Sequence, residues 1–347
     1  MRVLSLFLIL IAAAPLLADS PDEQLAAASA LFDARKHSEA AKRLETFLQA
    51  NPRHPKAGAA ALALGRCYTE LKQFPKAVPA YEKAVASKDP AVVPIAQLGL
   101  GEATIYSGQY EKAAGALNAA VKTPLKPEQA ALAWYWLGQA NFQLRRYAPA
   151  EEAYLKVTRD FGKSDLADAA HFGAGLAALR QDRGEVARQR LRVVVDRYPK
   201  SADRPRSMLI LAQLDMDGKQ YREARSGFEA VLADPAAKAD AEMRGAAEEG
   251  LVRALLELRD YPAATSRLEA VLARLPATDP QRPRAQISLG HSRYRQKQYE
   301  PALAAYREAA RSTEEAVAAE GFYWAANTAL ALNRPTDAAT EFGKVAA

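Results

Sequence analysis

The sequence predicts an all-α fold, a solenoid of about nine helical hairpins stacked in register. Three observations predict it. Alanine recurs at Ala40, Ala77, Ala113, Ala150, Ala187, Ala224, Ala264, Ala302 and Ala338, at spacings of 36 to 40 residues. Self-similarity at such a period marks a repeat architecture. Twelve residues before these alanines stands a small residue, at Ala28, Gly65, Gly101, Gly138, Gly175, Ala212, Gly290 and Ala326, with Val252 the exception. Finally, apolar residues make up 49% of the chain but aromatics only 8%. No stretch alternates β-branched and polar residues as a strand would, so helix is favoured.

The chain opens with Arg2, an apolar run from Val3 to Ile11, and a small-residue stretch ending at Ala18 before Asp19. A short apolar run behind one positive charge has the form of a secretory signal peptide over residues 1–18. It falls short of the ~20 apolar residues that a spanning helix requires. No cysteine lies nearby to carry a lipid. The expected location is periplasmic or secreted, with no integral membrane span after cleavage; the alternative is an uncleaved N-terminal anchor.

The repeats follow in order. Residues 20–56 hold Ala28, His37, Ala40 and Leu44 and close at Pro52. Residues 57–92 hold Gly65, Phe74, Pro75, Ala77 and Tyr81 and close at Pro90. Residues 93–129 hold Gly101, Tyr110, Glu111, Ala113 and Leu117 and close at Pro124. Residues 130–166 hold Gly138, Tyr147, Ala150 and Tyr154. Residues 167–203 hold Gly175, Gly184, Glu185, Ala187 and Leu191 and close at Pro199. Residues 204–243 hold Ala212, Tyr221, Ala224 and Phe228 and close at Pro235. Residues 244–281 hold Val252, Tyr261, Pro262, Ala264 and Leu268 and close at Pro276. Residues 282–317 hold Gly290, Tyr299, Glu300, Ala302 and Tyr306. Residues 318–347 hold Ala326, Pro335, Ala338 and Phe342.

Each position has a physical reading. The small residue and the alanine mark where two antiparallel helices cross closely. The aromatic three residues before the alanine fills the hairpin turn. The large apolar residue four after it packs into the next hairpin. Pro75 and Pro262 suit a helix start, where a missing N–H costs nothing, and Glu111, Glu185 and Glu300 suit the positive end of the helix dipole. The closing prolines cannot continue a helix.

These units resemble tetratricopeptide repeats, whose pattern is W-x2-L-G-x2-Y, then A-x3-F, then P. Trp134-Tyr135-Trp136-Leu137-Gly138 followed by Tyr147, Ala150 and Tyr154 carries the likeness best. It covers about residues 20 to 347, with a longer period than the family's usual 34 residues. The links Phe161-Gly162-Lys163-Ser164-Asp165 and Tyr198-Pro199-Lys200-Ser201-Ala202 resemble those of bacterial envelope proteins of the Tol–Pal coordinator and outer-membrane assembly type. The resemblance implies a right-handed superhelix whose first helices line a concave groove. It also implies a protein or peptide partner held in that groove.

One residue after the small position come Arg66, Glu102, Gln139, Gln213, Arg253, His291 and Asn327, a polar stripe expected along the groove. Tyr135 and Tyr323 stand one turn earlier, as does Phe172 in the fifth unit, and Phe142 stands one turn later than Gly138. Trp134, Tyr135, Trp136, Phe142 and Phe172 make the fourth and fifth units the aromatic-rich part of the array, where binding energy tends to concentrate.

No enzyme chemistry is legible. The histidines, His37, His54, His171 and His291, have no metal-ligand spacing, and no phosphate-cradling or nucleophile motif occurs. No catalytic residue, cofactor or metal is expected. Gly99-Leu100-Gly101 and Gly173-Ala174-Gly175 each end in a ladder glycine. Asp215-Met216-Asp217-Gly218 falls on a hairpin turn. Cys67, the single cysteine, stands in a column of alanines and reads as core. The net charge of +6 is spread among 47 basic and 41 acidic residues, which argues against nucleic acid. The basic run Arg180 to Arg206 is diluted by four acids and reads as a solvated face.

The expected function is an exported scaffold or adaptor that binds a protein or peptide segment in cell-envelope assembly or maintenance. The last unit reaches Val345-Ala346-Ala347 with no polar cap in sight, although a stacked array needs one. The alternative is therefore the docking or regulatory N-terminal part of a longer protein, one that could carry a catalytic domain beyond residue 347.

Overall fold

The computed structural model describes residues 20–345. The expected signal segment, residues 1–18, lies outside the described residues. Among the described residues every regular element is an α-helix. The hairpins run α1 (Pro21–Asp33) with α2 (His37–Ala50), α3 (Ala57–Glu70) with α4 (Phe74–Ala86), α5 (Val93–Tyr106) with α6 (Tyr110–Ala120), and α7 (Pro127–Gln143) with α8 (Tyr147–Asp160). Then come α9 (Ala167–Leu179) with α10 (Gly184–Arg197) and α11 (Arg204–Asp217) with α12 (Tyr221–Ala233). A short α13 (Pro235–Ala239) precedes α14 (Ala241–Glu257) with α15 (Tyr261–Arg274), α16 (Arg282–Arg295) with α17 (Tyr299–Ala309), and α18 (Glu315–Ala331) with α19 (Pro335–Val345). They form two compact units that divide at Gly173, inside α9. No described helix is long and apolar enough to cross a membrane.

The turn within each hairpin is built one way. The first helix ends, one residue takes left-handed backbone, and the next N–H reaches back five residues. Gln73 donates to the Tyr68 carbonyl, Gln109 to Thr104, Arg146 to Asn141, Gln220 to Asp215 and Gln298 to Arg293, and the other turns repeat the pattern. This closure satisfies carbonyls that the helix end would leave orphaned. The left-handed residue is Gly108 in the third hairpin but Lys219, at φ 59°, in the sixth. A side chain at that backbone costs about 1 kcal/mol or more. Lys219→Gly is therefore expected to raise the stability of its unit by up to about 1 kcal/mol, once the greater chain entropy of glycine is counted. Chemical denaturation checks this; an unchanged or lowered midpoint would refute it.

The ladder alanines are all 0 to 1% exposed. The glycines of the small column have a nearer neighbour than the ladder alanine. They face the large residue one turn further along the second helix. A methyl placed on Gly65 would meet the Tyr81 ring at 2.7 Å, and one on Gly99, in the next hairpin, would meet it at 2.5 Å. Tyr154 is held the same way between Gly138 and Gly173, at 2.6 and 2.7 Å. In the second unit Gly290 approaches Tyr306 and Gly250 approaches Phe228. The glycines are thus flat seats for a ring that ties one hairpin to the next.

Three other details differ from the sequence expectation. Pro235 does not end its unit; it opens α13, whose N-cap Asp234 accepts from the backbone N–H of Ala236 and Ala237. First helices α7, α14 and α18 start before the expected boundaries at residues 130, 244 and 318 and run 17 residues each. Asp240 caps α14 through the Met243 N–H, and Pro127 opens α7, so local start signals set these ends. The second helices begin on the aromatic itself, which places Pro75 and Pro262 second in α4 and α15.

In the first unit α1, α3, α5 and α7 pack side by side, while α2, α4, α6 and α8 are not packed on one another. A layer whose members touch, backed by one whose members spread, lies on the inside of a curve. In the second unit α11 packs on α14 and α16 on α18, but α14 and α16 stand apart.

Candidate protein-binding face

The first unit offers Arg66, Glu102, Tyr135, Gln139 and Phe142 on the first-helix layer. Arg66 is exposed on α3, with its guanidinium 5.5 Å above the Phe32 ring. A cleft of about 450 Å³ opens beside it, with Ser29 and Leu25 on its wall. Glu102 is half-buried on α5. Burial, with the Glu70 carboxylate nearby, holds its carboxyl above the usual range.

Tyr135 and Gln139, one turn apart on α7, form a small network. The Tyr154 hydroxyl donates to Gln139 Oε1 at 3.0 Å, and Gln139 Nε2 donates to the Tyr135 hydroxyl at 3.3 Å. The cause lies in the ladder. Tyr154 crosses the core between its two glycines, and its hydroxyl emerges on the first-helix layer, where it requires a partner. The Tyr81 hydroxyl likewise meets Thr69 Oγ1 at 3.0 Å, and burial pushes its pKa up to about 12.

Phe142 stacks edge-on to Tyr147 at 5.5 Å, closing the turn. Phe172 is only 7% exposed. It packs rather than presents itself, which corrects its placement on the groove; Leu98 and Ile287, at the same place in their own units, are buried too, whereas Tyr323 at that place is exposed.

The second unit carries Gln213, Arg253, His291, Tyr323 and Asn327. Gln213 donates to Asp217 at 2.8 Å, and Asp215 is buried against Arg188, so the acidic turn is engaged within the fold. His291 Nδ1 shares a hydrogen bond with the Tyr306 hydroxyl at 2.8 Å, and its ring stands on Trp324 at 4.7 Å. Burial, then the nearby Arg295, lower its pKa, so it is neutral at pH 7. Its 3.9 Å approach to Glu320 is accordingly no ion pair at that pH. Tyr323 is 47% exposed, edge-on to Trp324 and Phe342. Asn327 Nδ2 donates to the Tyr323 carbonyl.

Arg253 lies on an opening of this unit. Where α14 and α16 part, a cleft of about 990 Å³ forms, at the upper end of the size of ligand sites. Its apolar lining comes from Val252 and Leu256 of α14, Leu268 and Val271 of α15, and Ala285 of α16. Charge surrounds it: Glu248 is paired with Arg274, and Arg284 with Glu314.

The sequence reading missed Tyr106. It is 54% exposed at the end of α5, stacked on Phe74 at 4.3 Å and edge-on to Trp136 at 5.5 Å. A signal was present. The residue five after the small position is Asp33, Glu70, Gln143, Arg180, Asp217, Glu257, Arg295 or Ala331 in the other units, and Tyr106 is the aromatic exception in that column.

Among the described residues no three His, Cys, Asp or Glu side chains gather as metal ligands would. Cys67 is fully buried, and burial pushes its thiol up to about 11. It is expected to resist a thiol reagent at pH 8 in the native protein and react on unfolding. Labelling at equal rates in both states would contradict its place in the core.

Against known proteins, no curated protein matches. Several solved structures resemble parts of the chain. MamA from Desulfovibrio magneticus RS-1 is 22% identical with a TM-score of 0.43, covering 51% of this chain and 92% of its own. Pseudomonas aeruginosa pilF is 19% identical with a TM-score of 0.47, covering 61% and 90%. YrrB, described as a TPR protein with an unusual peptide-binding site, is 18% identical with a TM-score of 0.44, covering 57% and 91%. The sequence model described as tetratricopeptide repeat matches residues 25–92, 98–165, 150–202, 250–317 and 287–347. With that match laid over hairpins joined by recurrent small-residue and ring contacts, the chain belongs to the tetratricopeptide repeat family.

Proposed function

We propose that this chain is an exported scaffold that binds a segment of a partner protein on its first-helix layer, in the assembly or maintenance of the cell envelope. The observation that carries the binding role is the cleft between α14 and α16. Tight repeat packing would close such a gap. Here it stays open, with an apolar floor and the exposed Arg253 at its edge. Apolar depth with a polar rim is what a protein segment meets at a specific interface. Export is supported by the apolar run behind Arg2, and the envelope role by the Tyr198-Pro199-Lys200-Ser201 link. The role is binding rather than catalysis.

The test is capture from a solubilised native envelope, comparing wild type with Arg253→Glu/Ser288→Trp, which reverses the rim charge and fills the cleft. Glu229→Ala, on the second helix α12, is the control. The expected result is a defined set of proteins held by wild type and the control and lost from the cleft variant. Equal capture by all three would exclude the cleft as the binding site.

A further inference from the structure

We propose that the first-helix layer of the first unit holds a second, chemically distinct site, one that takes a lysine or arginine side chain of a partner polypeptide against Tyr106, Glu102 and Glu70. The inference rests on the scaffold reading above and names the chemistry of the segment bound.

Geometry brings three things together. Phe74, Tyr106 and Trp136, from three successive hairpins, form a continuous aromatic row, with ring centroids 4.3 and 5.5 Å apart. Tyr106 is 54% exposed at its centre, where a buried ring would be the cheaper arrangement. Glu102 lies one turn before Tyr106 on α5, so the two side chains are neighbours on one helix face. Glu70 ends α3 of the preceding hairpin, at the place that Tyr106 holds on α5 and four residues before Phe74, and its carboxylate disfavours the Glu102 charge.

Neither carboxylate is in an ion pair among the described residues. Arg66, one turn before Glu70 on α3, lies within electrostatic range of the same cluster but stands over the Phe32 ring and pairs with neither carboxylate. Two like charges, one of them half-buried, are unfavourable when left alone. An arriving cation relieves that repulsion, and the aromatic faces attract it further. The rest of the molecule provides no general attraction for a basic segment, because the chain as a whole carries +6. A membrane surface or nucleic acid would be drawn to cations, so this patch selects against both. Charge complementarity thus points to a basic protein segment.

The test uses fluorescence anisotropy with a labelled twelve-residue Gly-Ser peptide carrying three arginines, beside the same peptide with glutamine or with glutamate in their place. The protein is wild type, Glu102→Gln or Tyr106→Ala. The arginine peptide should bind, and the glutamine and glutamate peptides should bind at least about tenfold more weakly. Glu102→Gln and Tyr106→Ala should each weaken the arginine peptide by about tenfold or more.

Unfolding cannot mimic this result for Glu102→Gln. Burial already disfavours the charge there, so removing it should leave the thermal midpoint at or above wild type. Overturning results are equal binding of the three peptides, absence of arginine-peptide binding, or unchanged affinity in both variants. Envelope capture through the α14–α16 cleft would survive any of these, so the site can fail without the scaffold reading failing. Loss of that capture, with arginine-peptide binding intact, would single out the cleft instead.

Discussion

Tyr154→Ala is expected to destabilise the first unit by about 3–5 kcal/mol, the usual range for removing a large buried ring. Tyr154 is 1% exposed and seated between Gly138 of its own hairpin and Gly173 of the next. A stacked array is held by the stability of each repeat and by the interface between neighbours. The ring contributes to both, and neither glycine has a side chain with which to fill the space. The hydroxyl adds a further loss, because Gln139 Oε1 would be left without its donor. Urea denaturation followed by circular dichroism, with tryptophan emission reporting on Trp134 and Trp136, measures the effect. A loss below about 1 kcal/mol would show that the ring is not the tie between hairpins.

Gly138→Ala and Gly115→Ala are expected to act in opposite directions. Both glycines lie inside helices, α7 and α6. On propensity alone each substitution should stabilise by about 0.5–1 kcal/mol. Nothing lies within 4 Å of a methyl at Gly115, so the gain should appear there in full. At Gly138 the methyl would sit 2.6 Å from the Tyr154 ring, which must move. Overpacking a tight core costs about 1–3 kcal/mol. The net result at Gly138 is a loss of about 0–2.5 kcal/mol, centred near 1, from the difference of those two effects. Denaturation midpoints of the two variants, measured side by side, decide the matter. Stabilisation by both would mean that the glycine column is not selected by ring contact.

Much of the fold was legible because repetition multiplies weak signals. One alanine says little; nine in register set the repeat, and all nine are buried. What stayed hidden depended on which neighbour a residue meets. The glycines of the small column seat the rings of Tyr81, Tyr154 and Tyr306, a pairing that the period alone does not disclose. Position in the period gives a residue's face but not its reach across to a second helix. The turns gave no warning either, since Lys219 and Arg145 adopt the backbone that Gly108 adopts.

Site residues were legible to a lesser degree. Polarity at Arg66, Glu102, Gln139 and Arg253 follows from their column. The inward turn of Phe172 does not, because a ring one turn from a polar stripe can lean either way. Tyr106 was readable only by comparing its column across units. The α14–α16 cleft has no sequence signature of its own; it arises from how far two helices stand apart.

The measurement that bears most directly on the binding face is site-specific photo-crosslinking in the native envelope. A photoreactive side chain is placed at Arg253 or Tyr106 on the first helices, and at Glu229 or Lys83 on the second helices. Adducts with defined proteins are expected from Arg253 and Tyr106, and few from Glu229 and Lys83. Adducts arising from the second-helix positions alone would contradict this.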